Sequence, residues 1–579
     1  MQAMLIMIGS FVGYLLMYRF YGRYIGRRIF SINDQTVPPS VALRDDIDFV
    51  PTRKEVIFGH HFTSIAGTGP IVGPAIAIIW GWAPALLWVF VGSIVMGAVH
   101  DFGSLIISMR NQGKSISDYT SRYVNSRTRY LFFIIVFLEL WIVISIFGMV
   151  IAVIFHMFPE SVVPVWLQIP IAVALGYGMY RRGWSVARSS FAAVVLMYLS
   201  MVLGAWIPLD LPVIAGIPPT GMWTLVLLAY AWIASTLPVT TLLQPRDFIN
   251  AYQLLIAMGL LVFGAIAAAL TMNLEVVAPA FQAAPADTPP LWPFLFITIA
   301  CGAISGFHAL VSSGTSAKQV RSESDSLFVG YGSMLVEGAL ATVVIIAVAA
   351  GIGLGLQDAA SGTVLTGTAA WSSLYSSWAA AQGMGSKITA FVDGSANMIG
   401  AIGIPRDLAV VLMGVFVASF AGTTLDTATR IQRYVVTELF TGLHVRAFGN
   451  RQVATGFAVI TAALLAFASG ADGQGALSLW PLFGAVNQTL AALALIIVTL
   501  YLRQRGGLKW ITAGIPAVFM SVMTLWASIL NQFDYGASNN ILLQIINAVI
   551  VLIVVWIIIE GVRAFLQPQK MSATIASES

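Results

Sequence analysis

Two short blocks of this chain set histidines among glycines and hydroxyls at matched spacing. The first reads Gly59-His60-His61-Phe62-Thr63-Ser64-Ile65-Ala66-Gly67-Thr68, and the second Gly306-Phe307-His308-Ala309-Leu310-Val311-Ser312-Ser313-Gly314-Thr315. Both fit Gly-x-His, five residues, then Gly-Thr. Histidine changes charge near neutral pH, so the pair of blocks suits proton handling. The first block runs on through Gly69-Pro70-Ile71-Val72-Gly73-Pro74. Proline donates no helical hydrogen bond and glycine favours open backbone, so a helix here is interrupted. Unwound carbonyls at such a break coordinate a cation or proton carrier, and the half-helix N-terminus that follows attracts an anionic group such as a carboxylate. The substrate-binding candidates are therefore Gly67, Thr68, Gly69 and Pro70, with Ser312, Ser313, Gly314 and Thr315 facing them from the second block.

Further ionisable groups, His100, Asp101, Glu139, Glu337 and Asp426, also fall inside apolar stretches. Each costs about 2.5–3.5 kcal/mol at the centre of a spanning helix on insertion scales, which invites a functional role. His60, His61, Asp101, His308 and Asp426 are the candidates for proton coupling. Asp426 and Arg430 stand at i, i+4 and are expected to pair on one helix face. Asn487 and Gln488 put amides into an apolar span, where they glue helices together or line a polar path. The single Cys301 excludes an intramolecular disulfide and a multi-cysteine metal site, and reads as a small packing residue. No His-x-x-x-His pattern, catalytic carboxylate pair or Gly-rich phosphate loop is present, so neither a metal, a cofactor, an enzyme nor an ATP-driven pump is expected.

The elements that position these residues follow from composition. Of 579 residues 58% are hydrophobic and 9% charged, and mean hydropathy is +0.87. No soluble fold hides that much apolar surface, and the apolar runs are continuous rather than alternating, so the chain reads as an all-α polytopic membrane protein. A ruler of about 20 residues per span gives about fifteen transmembrane helices. They lie near 3–21, 59–79, 84–108, 131–157, 164–180, 189–208, 221–242, 252–272, 291–316, 327–356, 407–427, 453–470, 477–502, 511–530 and 541–562. Every second connection holds the basic residues, around Arg19, Arg53, Arg110, Arg129, Arg182, Arg246, Lys318, Arg430, Arg503 and Lys570. The positive-inside rule then predicts an external N terminus and a cytoplasmic C terminus. The two histidine blocks run in opposite directions across the bilayer, as an inverted repeat requires. The predicted organisation is a leading helix with a basic loop (1–58), a first repeat (59–290), a second repeat (291–562) with an outer loop at 357–406, and a cytoplasmic tail (563–579).

Pro51-Thr52, Phe58-Gly59-His60-His61-Phe62, Ala66-Gly67-Thr68-Gly69-Pro70-Ile71-Val72-Gly73-Pro74, His100-Asp101-Phe102, Cys301-Gly302-Ala303-Ile304-Ser305-Gly306-Phe307-His308 and Phe420-Ala421-Gly422-Thr423-Thr424-Leu425-Asp426-Thr427 together resemble the carbon starvation protein A family. The resemblance implies an inner-membrane transporter of the amino acid–polyamine–organocation group with an inverted-repeat fold, LeuT-like or related, whose repeats each open with a broken helix. It also implies uptake of pyruvate or short peptides, both carrying a carboxylate, together with a coupling proton. A sodium-coupled transporter of the same solutes and a solute channel are the other readings. The bilayer and the small solute are the expected partners, nucleic acid is not, and one chain leaves oligomeric state open.

Overall fold

Apolar runs fold as helices in lipid because a helix satisfies its backbone groups within itself. The computed structural model describes residues 1–283, 285–357 and 362–567. Lys570 and most of the expected tail lie outside them. In chain order the principal helices begin with α1 (Gln2–Ile29), α2 (Lys54–Ala66), α3 (Gly69–Trp80), α4 (Trp82–Arg110) and α5 (Ser126–Met157). Next come α6 (Pro159–Arg181), α7 (Val186–Trp206), α8 (Pro219–Thr236), α9 (Leu243–Thr271), α10 (Leu291–Thr298) and α11 (Gly306–Gly314). The remainder are α12 (Glu323–Leu354), α13 (Met384–Gly400), α14 (Arg406–Gly442), α15 (Arg451–Ala466), α16 (Gln474–Gln504), α17 (Ile511–Ala537) and α18 (Ile541–Leu566).

Eleven of these are long and apolar enough to cross a bilayer, or twelve if α2 and α3, bent by 41°, count as one span. By this measure of length and composition the described helices do not reach the expected fifteen. The stretch at 291–316 is split into α10 and α11, 453–470 yields only the 16-residue α15, and 221–242 yields α8, which carries Thr224, Tyr230 and Ser235. Burial sorts the bundle into layers. The apolar windows of α16 and α12 are 94% and 89% enclosed, whereas those of α1, α7 and α18 stay below a third and face lipid.

The breaks dictate the centre. α2 stops at Ala66, and α3 starts with Pro70 in its first turn, where a missing N–H costs nothing. A side chain on Gly67 would meet Thr424 Oγ1 at 2.6 Å, so α14 fits only against a glycine. The second break, between Thr298 and Gly306, turns at Gly302 with φ +92°, a conformation that favours glycine. Its backbone is satisfied from four directions, as lipid demands. Trp88 Nε1 donates to Ile299 O (3.1 Å), Gln488 Nε2 to Phe296 O (2.8 Å), Gly302 N to Glu337 Oε1 (3.0 Å) and Phe307 N to Asn487 Oδ1 (2.9 Å). Asn487 thus caps α11 from a neighbouring helix.

Each broken helix packs on the span that follows the other: α2 and α3 on α12, and α11 on α4. Both α4 and α12 contain a π-helical turn, Gly92–Gly97 and Leu327–Gly332, a feature frequent at functional sites.

The basic connections gather on one side. Val50 N donates to Lys318 O (3.1 Å) and Thr52 N to Gln319 O (2.9 Å), while Arg110 pairs with Glu323 (2.7 Å). Asp48 binds Arg430 (2.7 Å), accepts from Tyr434 (2.6 Å) and lies 3.5 Å from Arg433. On the opposite side the short helix Gly367–Tyr375 clasps α3: the Tyr375 hydroxyl donates to Ala75 O, and its ring stacks on Trp371 at 3.9 Å.

Candidate functional site

Around the second break four ionisable side chains, all fully buried, form one chain of contacts. His100 Nδ1 lies 2.7 Å from Asp101 Oδ1, and His308 Nδ1 lies 2.9 Å from Asp101 Oδ2. The far ring nitrogen of His308 stands 3.3 Å from Glu337 Oε2, close but not aligned as a hydrogen bond, and both atoms lack another partner. The other oxygen of Glu337 holds Gly302 N. A proton moving along this row therefore changes the charge facing the break itself. Burial makes an uncompensated charge cost several kcal/mol, so gain or loss of one proton alters which packing is favoured. Cys301 Sγ, a ring nitrogen of His308 and a Glu337 oxygen lie within 4.8 Å of one another, a spacing at which such atoms can hold a common cation.

A second network runs from α2 towards α14. His60 Nδ1 is 2.6 Å from Asp247 Oδ2, and Asp247 Oδ1 accepts from Arg246 Nη2 at 2.9 Å. Arg246 Nη1 pairs with Asp426 and donates to the Tyr230 hydroxyl (2.6 Å), which in turn donates to Asp426 Oδ2 (3.0 Å). The expected Asp426–Arg430 pair is corrected: Arg430 reaches Asp48 and Leu237 O instead. Asp426 points across to α9, and one turn later the longer arginine reaches the connection. His61 diverges from His60, as neighbours on a helix must, and its Nδ1 lies 2.8 Å from Ser316 Oγ.

The predicted substrate residues fall in two places. Gly67, Thr68, Gly69 and Pro70 form the first break and touch the second: a side chain on Gly69 would fall 2.5 Å from Cys301 Sγ. Ser312, Ser313, Gly314 and Thr315 close α11 rather than interrupt it, because the break lies upstream at 299–305. Ser313 Oγ accepts from Ile116 N (3.1 Å), Thr315 Oγ1 donates to Val311 O (3.1 Å), Gly314 packs on Ile431, and Ser312 Oγ is buried without a partner. Sequence reasoning named Glu337 without weighting it, and missed Asp247 and the buried role of Arg246. The helix holding them begins at Leu243, whereas the apolar run that marks it in the sequence begins only near 252. Its signal was a salt-bridging dipeptide directly preceding an apolar run.

A cavity of about 240 Å³ reaches both breaks, with Gly69, Gly73, Thr298 and Cys301 at its floor. Its wall includes Phe294, Trp378, Trp480 and Phe483, and Gln382, Asn531 and Asp534 line it on the side away from the basic connections.

The family model described as "Carbon starvation protein CstA" matches residues 2–527. A peptide transporter CstA of Campylobacter jejuni is 33% identical, with 93% of this chain and 82% of that protein covered. The pyruvate/proton symporter BtsT of Escherichia coli is 31% identical, with 92% and 82% covered. Among solved structures, a manganese transporter of Eremococcus coleocola superposes with a TM-score of 0.50 at 12% identity, over 90% of this chain and 99% of that one. That likeness concerns fold alone: the bundle shares the helical fold of that protein.

Proposed function

The chain belongs to the carbon starvation protein CstA family, and from that premise we propose that it is a secondary active importer of small carboxylate-bearing nutrients, pyruvate or short peptides, driven by proton symport. It is a multi-pass membrane transporter and not an enzyme. The observation that carries the reading is the meeting of two helix breaks, Gly67–Pro70 and 299–305, at the floor of a cavity, with a buried His–carboxylate row directly behind the second.

In this proposal the solute enters from the side opposite the basic connections and rests at the breaks. The N-terminus of α3 at Gly69 faces its carboxylate. Ser312, Ser313, Gly314 and Thr315, near the basic side, line the route of release. Asp101 and His308 carry the coupling proton, and Glu337 transmits their state to Gly302. His60, His61 and Asp426 act on the release side, where Arg246 holds Asp426. Residues 59–290 and 291–562 form two repeats that rock about this centre, the protein lies in the cytoplasmic membrane, and its N terminus is external. Release needs the Asp48–Arg430 contact on the basic side to part, which gives alternating access its second gate.

Uptake of labelled pyruvate and of labelled dialanine into proteoliposomes, with and without an inward proton gradient, tests the proposal. Accumulation of either solute above equilibrium only under the gradient is the expected result. Accumulation that follows a sodium gradient instead, or downhill flux alone, would overturn proton symport.

A further inference from the structure

The cavity above the breaks carries a charge pattern of its own. Among its described lining residues Asp534, on the last turns of α17, is the only charged side chain. No hydrogen bond or ion pair from another described side chain engages its carboxylate, and the residue is exposed. Next to it the Tyr535 hydroxyl is buried without a partner. Rings of Phe294, Trp378, Trp480 and Phe483 complete the wall, with Trp378 packed on Trp80 at 5.3 Å and Trp480 on Phe483 at 5.4 Å. The arrangement is repeated at larger scale. Glu160, Asp210, Glu275, Asp287, Asp472 and Asp534 lie in or beside the connections on this side. The described Lys and Arg side chains there, Lys387 and Arg406, are both engaged, by Leu374 O with the Tyr375 ring and by Asp393.

A bare monocarboxylate meets a repulsive field on this approach and finds no cation among the described residues that line the mouth. An ammonium group meets a carboxylate and aromatic faces, the combination that binds organic cations. The floor has the opposite sign, because the positive end of the α3 helix dipole lies there, at Gly69. The cavity is thus negative at the mouth, apolar along the wall and positive at the floor.

We infer that Asp534 and the aromatic wall form an ammonium-recognition subsite, so that the preferred solute is a zwitterion with its amine toward the mouth and its carboxylate on α3. This rests on the import reading for its direction of transport, but not for its binding. Asp534 is the specificity-determining residue, and a two-ended solute the length of a short peptide fits better than a keto acid.

Binding to the purified full-length protein in detergent, read as thermal shift, separates the two ideas. Dialanine should bind at least about tenfold more tightly than N-acetyl-dialanine, which lacks the cationic end, and Asp534→Asn should erase that ratio. In proteoliposomes the same variant should raise KM for dialanine about tenfold while kcat changes less than about twofold. Asp534→Lys should go further and let pyruvate compete. Equal binding of the free and acetylated peptides, or an Asp534→Asn variant with an unchanged ratio, overturns the subsite. Selective binding without uptake under any gradient would instead leave the subsite standing and remove the import reading.

Discussion

At the scale of single residues the centre of the molecule depends on Asp101, whose two oxygens meet His100 and His308 at once. Asp101→Asn leaves two buried imidazoles around a neutral amide. Removing one member of a buried pair costs about 3–5 kcal/mol, so the variant should melt earlier and lose proton-driven accumulation. Solute exchange without a gradient should survive in the folded fraction, and a variant that still concentrates solute would remove Asp101 from coupling. Asn487 makes a different prediction. Asn487→Ala strips the cap from α11, a loss of about 1–2 kcal/mol that thermal unfolding should register, with little change in pH dependence. The sequence showed most of these side chains but not their partners. His308 and Asp101 stood out because an ionisable group in an apolar run is costly, yet 207 residues separate them, and no local pattern joins α4 to α11. Arg246 and Asp247 are hidden for another reason: they precede the apolar run of their helix, and a charge in an apparent loop asks for no explanation.

At the scale of elements, the interrupted helices were legible where glycine and proline crowd together and obscure where they do not. Gly69-Pro70 announced the first break, but the second is made by Ile299–Ser305, with one glycine at its turn, and is held open by Trp88, Glu337, Asn487 and Gln488 from other helices. Tertiary satisfaction of the backbone, not local propensity, keeps that segment unwound, so its position could not be read from its own residues. Contact between the breaks is testable. Gly69→Ala pushes a methyl into Cys301, whose Cβ and Sγ would both lie 2.5 Å away, and should cut transport at least about tenfold. Cys301→Gly removes both atoms, so the double variant should recover most of the loss in uptake assays. Gly306→Ala offers a contrast, because its methyl would meet Asn487 O, a backbone atom, at 2.3 Å, and no side-chain change relieves it. Equal rescue in both cases would mean that the first clash is not the cause.

At the scale of the whole molecule, the structure is closed on the basic side by the connection before α2. Asp48 there takes Arg430, Arg433 and Tyr434 together. Burial alone would raise the Asp48 carboxyl, but the two guanidiniums, the Tyr434 hydrogen bond and nearby Lys318 outweigh it and hold it below the ordinary carboxylate range. A depressed folded pKa contributes stability that is present above the unfolded value and is lost only as pH falls through the folded one. The contact therefore stays charged at any pH near neutrality, and mild acidification is not what parts it. Differential binding must do so, since a ligand shifts a two-state balance only by its difference in affinity for the two states. Ser316→Cys, at a site buried beside His61 and two residues from Lys318, reports the opening in a Cys301→Ala background. Its labelling from the basic side should be equally slow at pH 8 and pH 5 without solute. It should rise when solute and a proton gradient are applied together. Asp48→Asn should raise it with neither, by roughly a hundredfold if the lost pair contributes about 3 kcal/mol to the closed state alone. Fast labelling at pH 5 with the Asp48–Arg430 contact intact would show that a proton, not the solute, opens this side, and would move the proposed coupling site from Asp101 to Asp48.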